Sequence, residues 1–141
     1  MSQKHSLLSN VQPLSIAGEY RAGVCNIGPE EIARRRMSGH LALAATVALF
    51  AVLVLVHAPA WTRLALVLTA GGAASGYLQA YFQFCAGFGS RGVYNFGPLG
   101  TVLAVASDAD RAKDLRKATA IGIASLAIGL AVGIAAFALP I

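Results

Sequence analysis

Hydrophobic residues are concentrated in three long stretches that contain no Asp, Glu, Lys or Arg: 41–56, 64–90 and 118–141. A helix of about 20 apolar residues spans the hydrocarbon core of a bilayer. The pattern therefore predicts an all-α membrane protein with three transmembrane helices, at about 37–57, 64–82 and 118–139.

Local signals indicate where the first helix begins and ends. Gly28 suits an N-cap, Pro29 suits the first helical position, and two glutamates follow in the first turn. The helix is expected to continue to about His57, because Ala58-Pro59 then interrupts it. A short turn leads into the second helix, which must run antiparallel to the first.

The third helix is predicted from Asp108 to about Leu139, because Ser107 suits an N-cap and two aspartates follow. Before it, Gly97-Pro98 is typical of a helix start, which predicts a short interfacial helix over Leu99–Ala106. The predicted organisation is an N-terminal cytoplasmic arm (1–28) and a three-helix transmembrane domain (29–141) with a cytoplasmic loop at 84–117.

Charge gives the expected orientation. The net charge is +5, and ten of the eleven basic residues precede the first span or lie between the second and third; only Arg63 is on the other side. The positive-inside rule places the amino terminus in the cytoplasm and the carboxyl terminus outside, in the inner (plasma) membrane of the cell. Arg34, Arg35 and Arg36 are expected to meet anionic lipid headgroups, and no nucleic-acid partner is predicted.

Small residues occupy the middle of the second span, Gly71–Gly76, and one face of the third. Such residues let helices approach closely. The expected helix-packing positions are Gly72, Gly76, Gly122, Ser125, Gly129 and Gly133. The partner helix is either inside the chain or in another subunit, and the pattern leaves this open.

Three residues are candidates for chemistry. Cys25 and Cys85 are both expected at the cytoplasmic face, as a thiol pair or as two ordinary reduced cysteines. His40, inside the first span, is either a ligand for haem or chlorin or a hydrogen-bonding partner for a neighbouring helix. Four aromatic residues are spaced so that they form one face of a helix: Tyr77, Tyr81, Phe84 and Phe88. This face is either a site for a quinone, pigment or lipid or an aromatic belt. No catalytic residue, metal site or cofactor is predicted.

The motif Asn26-Ile27-Gly28, followed by Arg34, Arg35 and Gly39, resembles a small bacterial inner-membrane domain of unknown function. That domain occurs alone or fused to rhodanese sulfurtransferases, and a cysteine follows its second span, as Cys85 does here. The resemblance covers about residues 25–97. The chain differs from it in having alanine after the cysteine and a third span. The resemblance implies a sulfur- or thiol-related context for Cys85 and leaves an accessory role open.

The leading prediction is a non-enzymatic accessory or structural subunit. It would pack on a larger membrane protein complex, or form a homo-oligomer, through the small-residue faces of the second and third spans. The first alternative is a thiol or sulfur-transfer protein that uses Cys85, with or without Cys25. The second alternative is a subunit that binds haem, chlorin or quinone near His40 and the tyrosines.

Overall fold

A computed structural model describes residues 19–141; residues 1–18, with Lys4 and most of the predicted arm, lie outside the described part. The elements in chain order are helix α1 (Pro29–Leu55), a 3-10 helix (Ala60–Ala65), helix α2 (Leu66–Tyr81), helix α3 (Ala86–Arg91), strand β1 (Val93–Tyr94), strand β2 (Leu103–Ala104) and helix α4 (Asp108–Ala138). The described chain is mostly helical, as predicted, whereas the three spans and their orientation stay predictions.

Two helices of the described residues, α1 and α4, are long and apolar enough to cross a membrane. The second predicted span, at 64–82, takes a different form. Its first residues belong to the 3-10 helix, and α2 itself has only 16 residues. The α-helical part of this segment is thus shorter than the sequence pattern suggests.

The two long helices begin where the capping signals predict. Gly28 is the N-cap of α1, with Pro29 in the first turn. Ser107 is the N-cap of α4, and its Oγ accepts a hydrogen bond from the Asp110 N–H at 3.4 Å. The first amides of a helix have no acceptor within the helix. Pro29 removes one of these N–H donors, and Ser107 provides an acceptor for another.

Helices α1 and α2 each end in a Schellman motif with a non-glycine residue in the left-handed conformation. His57 has φ 51° and Gln83 has φ 53°. In α1, the Ala58 N–H bonds the Leu53 carbonyl at 2.9 Å, so the helix stops slightly before the predicted end at His57. A non-glycine residue in this region costs on the order of 1–3 kcal/mol, which surrounding contacts must offset.

Helix α2 packs between α1 and α4 and contacts both along its length. At the α1 crossing, a Cβ on Gly76 would lie 2.5 Å from the Gly39 nitrogen. At the α4 crossing, a Cβ on Gly129 would lie 2.5 Å from the Val67 oxygen. The helices therefore approach closely enough at both crossings to exclude any side chain.

These crossings occupy most of the predicted helix-packing positions within the chain. A Cβ on Gly133 would overlap the Val67 side chain, and Ser125 is buried beside Gly71. Gly72 is in ordinary contact with Ala42. Gly122 is exposed, and no atom of residues 19–141 lies within 4 Å of its Cβ position, so the packing predicted for Gly122 is not seen within this part of the chain. The faces around Gly76, Gly129 and Gly133 thus pack against helices of the same chain, and docking of another subunit through small-residue faces stays a prediction.

The loop at 84–117 is folded, and the prediction of a helix over Leu99–Ala106 is wrong. Residues 103–104 instead pair antiparallel with β1, in the register Val93↔Ala104 and Tyr94↔Leu103. The Val105 N–H also donates to the Gly92 carbonyl at 2.8 Å. The backbone bonds that a helix would have made locally are therefore directed to the preceding strand.

We expect Gly129→Ala to lower the free energy of unfolding in detergent by about 1–3 kcal/mol, the usual cost of overpacking. The matched control is Gly122→Ala on the same helix, where the added methyl meets open space. The control should be neutral or stabilising by about 1 kcal/mol, because alanine favours helices. Equal effects of the two substitutions would contradict the packing described here.

Candidate functional site

Residues 19–28 and 83–107 fold together over one end of the helices and form a layer that we call the cap. Asn26 is its centre and is fully buried. Its side chain donates to the Cys85 carbonyl at 3.1 Å and accepts from the Cys85 N–H at 2.7 Å. Its backbone N–H donates to the Gln83 carbonyl at 3.1 Å. Asn26 thus connects the arm to Gln83 and Cys85, the residues that follow α2.

Asn95 continues this network on the other side of Asn26. Its N–H donates to the Asn26 carbonyl at 2.9 Å, and its carbonyl accepts from the Gly28 N–H at 2.8 Å. Its side chain accepts from the Gly97 N–H and donates to the Pro98 carbonyl. Asn95 therefore fixes the turn after β1 and the segment just before α1 at the same time.

Gln79 links the end of α2 to α3. Its Oε1 accepts from the Ala86 N–H at 2.9 Å, and its Nε2 donates to the Ser75 Oγ at 2.8 Å. The first amide of α3 is thereby satisfied inside the protein. The position of α3, and of Cys85 at its N-cap, is thus set by a side chain of α2.

Both cysteines lie in the cap as buried free thiols. Cys85 is 2% exposed and packs with Ile27 and Phe88, and its Sγ accepts from the Phe88 N–H at 3.4 Å. The Cys25 thiol donates to the Glu19 carbonyl at 3.2 Å. The chain brings both cysteines into one layer, and each sulfur has a hydrogen bond to a different backbone group.

Asp114 of α4 binds residues 19–28 through two hydrogen bonds. It is fully buried, and its carboxylate accepts from the Tyr20 hydroxyl at 2.9 Å and from the Gly23 N–H at 2.7 Å. The Tyr20 ring stacks on Tyr94 at 4.5 Å between centroids. Burial, followed by the hydrogen bond to the Asp114 carboxylate, raises the pKa of Tyr20 well above its usual value. We call this contact the latch.

The arginines predicted to meet lipid have two different environments. Arg34 and Arg35 approach the buried Glu31 carboxylate at 3.9 Å and 3.6 Å, whereas Arg36 is exposed. The Arg34 side chain remains 61% exposed, so it is free to contact a surface as well. Arg35 is half-buried and lies beside the buried Glu31 carboxylate.

His40 bonds the neighbouring helix. Its Nδ1 lies 2.7 Å from the Tyr77 hydroxyl, and the two rings meet edge to face. This contact joins α1 and α2 beside the Gly39–Gly76 crossing. Within residues 19–141, no three His, Cys, Asp or Glu side chains come together as a metal site. Cofactor binding at His40 stays an alternative hypothesis.

The predicted aromatic face is divided. Tyr81 lies on α2 and is 81% exposed, whereas Phe84 is fully buried and Phe88 nearly so. The left-handed residue Gln83 turns the chain between them, so the spacing of four residues no longer keeps the rings on one face. A flat aromatic surface for a quinone or pigment, as the sequence spacing suggests, is therefore absent from these four positions.

Comparison with protein-family models, curated proteins and solved structures gave no match. The resemblance noted above therefore stays a prediction.

Two residues that hold the cap in place were not predicted from the sequence. Asn95 lies in a loop rich in glycine and aromatic residues, and Asp114 is one of several charged residues in the first turns of α4. The available signals were Asn95-x-Gly97, which favours a side-chain turn, and a tyrosine and a glycine in an otherwise polar arm. Neither signal indicates which distant residue Asn95 or Asp114 contacts.

The latch is expected to control access to Cys85. In a Cys25→Ser background, Asp114→Ala should speed labelling of Cys85 by a small maleimide about tenfold or more. The reason is that each hydrogen bond to a charged group contributes about 1.5–3 kcal/mol, and 1.4 kcal/mol is about a factor of ten. Asp110→Ala is the control, because the Asp110 carboxylate pairs with Lys113 and makes no hydrogen bond to residues 19–28. Unchanged labelling in Asp114→Ala would show that the arm does not cover Cys85.

Alkaline pH is expected to weaken the latch. A tyrosine in the unfolded chain ionises near pH 10, whereas Tyr20 in the folded chain keeps its proton because its pKa is raised. Above about pH 10 the unfolded state binds fewer protons, so this part of the stability falls as the pH rises. Unfolding free energies in detergent should decrease more between about pH 9 and 11 for the wild type than for Tyr20→Phe. Parallel curves would contradict the assignment.

Proposed function

We propose that the protein is a small multi-pass subunit of a bacterial inner membrane that serves a larger complex without a catalytic centre of its own. In this arrangement α1, the 3-10 helix with α2, and α4 form three spans. The amino terminus and the cap face the cytoplasm, and the end that carries Arg63 faces outward. The distribution of basic residues supports this orientation.

The observation that carries the proposal is a group of exposed apolar side chains in the cap, outside the long apolar helices. Leu99, Val102 and Leu103, at and before β2, are 50–55% exposed. Contiguous exposed apolar residues outside the spans are typical of protein–protein contacts. We call these three residues the hairpin patch.

Strand β2 also has an edge available for pairing. It pairs with β1 on one side, and no other described strand pairs with its opposite edge. An open edge beside exposed apolar side chains is suited to strand addition by a partner chain. The hairpin patch is therefore a better candidate for contact with the cytoplasmic surface of a larger subunit than the small-residue faces are. Those faces already pack between helices of this chain.

The hydrogen bonds of Asn95 support a docking role because they hold the hairpin in one position. A rigid surface loses less conformational entropy on binding than a flexible loop does. Glu30 contributes as well, since its carboxylate accepts from the Leu99 N–H at 3.1 Å. The patch is thus preorganised relative to the first long helix.

A thiol function for Cys85 is the second candidate. The observation that favours it is the position of Cys85 at the start of α3, where the Asn26 side chain bonds both the N–H and the carbonyl of Cys85. In the closed cap this thiol is 2% exposed. A sulfur-transfer role would therefore require the arm to open, and the labelling experiment above measures that opening.

We expect Leu103→Glu to lower the amount of partner recovered with the tagged protein from native membranes by about tenfold. Burying a charge at an interface costs well over the 1.4 kcal/mol that this factor represents. The control is Thr101→Glu, which places the same charge at an exposed polar position of the same loop. Partner subunits are identified by mass spectrometry after extraction in mild detergent.

Two outcomes would overturn the proposal. One is equal recovery of partner subunits with Leu103→Glu and Thr101→Glu. The other is the absence of any stoichiometric partner from the wild-type sample. Alkaline extraction of membranes would confirm that both variants are inserted to the same extent.

A further inference from the structure

Two basic residues of α4 lie where its charged first turns meet its uncharged part. Arg116 and Lys117 directly precede residues 118–141, which contain no Asp, Glu, Lys or Arg. Arg116 is exposed, and Lys117 is partly exposed. In the membrane-spanning arrangement proposed above, this boundary lies at the cytoplasmic surface of the bilayer. Both side chains are then at the level of the lipid headgroups.

The basic residues of α4 differ in whether an acidic side chain neutralises them. Arg111 and Lys113 each approach an aspartate one turn earlier on the helix, at 3.9 Å and 3.2 Å. Within residues 19–141, no salt bridge involves Arg116 or Lys117. The two cations nearest to the uncharged stretch are therefore the ones without an acidic partner in this part of the chain.

Asp114 explains why Lys117 lacks a partner on its own helix. The two residues are three positions apart, a spacing at which ion pairs commonly form on a helix. The Asp114 carboxylate is instead fully buried and accepts from Tyr20 and Gly23 in the latch. Closure of the latch thus leaves the positive charge of Lys117 available to a ligand.

The Lys117 ammonium lies over an aromatic ring at the end of α2. Its Nζ is 4.0 Å from the centre of the Phe82 ring. An aromatic ring attracts a cation through its quadrupole but offers no oxygen or nitrogen acceptor. Phe82 therefore orients the ammonium and leaves its N–H groups available to an oxygen ligand. Beside Phe82, the Tyr81 ring meets it edge to face and is 81% exposed.

An apolar face of α4 continues from Lys117 into the uncharged stretch. Ala120, Ala124 and Ile128 follow Lys117 at steps of three and four residues, so they lie on the same side of the helix. Ala120 and Ile128 are exposed, and Ala124 is partly exposed. A ligand here meets a cation at one end and apolar side chains at the other. This combination suits an anionic amphiphile better than an acidic peptide, whose backbone would lie against apolar residues.

We propose that Lys117, with the adjacent charge of Arg116, binds the phosphate of one anionic phospholipid whose acyl chain lies along the Ala120–Ile128 face. The ammonium donates to a phosphate oxygen in a charge-assisted hydrogen bond. Basic residues at the cytoplasmic end of a transmembrane helix are typical of anionic-lipid recognition. The inference rests on the membrane-spanning part of the proposed function and does not require the partner complex.

The test is native mass spectrometry of the full chain, purified in mild detergent and exposed to equal amounts of phosphatidylglycerol and phosphatidylcholine with the same acyl chains. The wild type should retain phosphatidylglycerol in preference. Lys117→Gln should lower the occupancy of one retained phosphatidylglycerol about tenfold, because a charge-assisted hydrogen bond is lost. Lys113→Gln is the matched control, since it removes the same charge from the same helix at a position already paired with Asp110. It should change the occupancy by less than about twofold.

Two further variants separate the charge of Lys117 from its position. Phe82→Leu keeps the charge but removes the ring that orients the ammonium, so it should lower the occupancy less than Lys117→Gln does. Lys117→Arg should retain the lipid, because a guanidinium also lies well over an aromatic ring and donates to phosphate.

Equal losses in Lys117→Gln and Lys113→Gln would overturn the proposal, because net charge alone would then explain the binding. Equal retention of the two lipids by the wild type would do the same. Lower recovery of partner subunits with Lys117→Gln, at unchanged lipid occupancy, would assign the site to an acidic protein surface instead. Leu103→Glu separates this inference from the proposed function, since it should leave lipid occupancy unchanged even where it releases the partner.

Discussion

The arrangement depends on the close approach of the α2 backbone to both of its neighbours. Between apolar helices in lipid, the hydrophobic effect gives little attraction, so association relies on van der Waals contact and hydrogen bonds. Gly76 lets α2 reach the backbone of Gly39, and Gly129 lets α4 reach Val67. Because α2 provides the contact surface for both long helices, its direction and its two ends determine the rest of the structure. The cap forms where α2 stops.

The cap follows from the way in which α2 ends. Gln83 takes a left-handed conformation, so the chain turns and Cys85 meets the side chain of Asn26. A buried polar network of this kind specifies one structure only when its members are satisfied. The cost of a strained glutamine is offset here by the hydrogen bond that its carbonyl accepts from Asn26. The same contacts that support the backbone also bury the thiol, which links the fold to access at Cys85.

The sequence predicted the features that depend on neighbours along the chain. Gly28-Pro29 and Ser107 marked helix starts, and the regular small residues marked the face of α4 that packs. Features that depend on distant partners were missed. Leu99–Ala106 is an apolar run compatible with helix or strand, and only pairing with Val93 and Tyr94 decides its structure. The roles of Asn95 and Asp114 likewise depend on segments about 70 and 90 residues away.

The two ends of the molecule differ in how their polar groups are satisfied. At the cap end, Asn26, Asn95, Gln79 and Asp114 have their partners within the chain, and the exposed remainder is the apolar hairpin patch. At the opposite end, Arg63 donates to the carbonyls of Ala136 and Leu139 and to the Ile141 oxygen, while its buried Nε–H has no acceptor among the described residues. The polar groups of the cap end are thus satisfied by other segments of the chain, which fixes the hairpin patch in one position. A preorganised surface of this kind loses little conformational entropy when a partner binds, so the cap end is the better candidate for a protein contact.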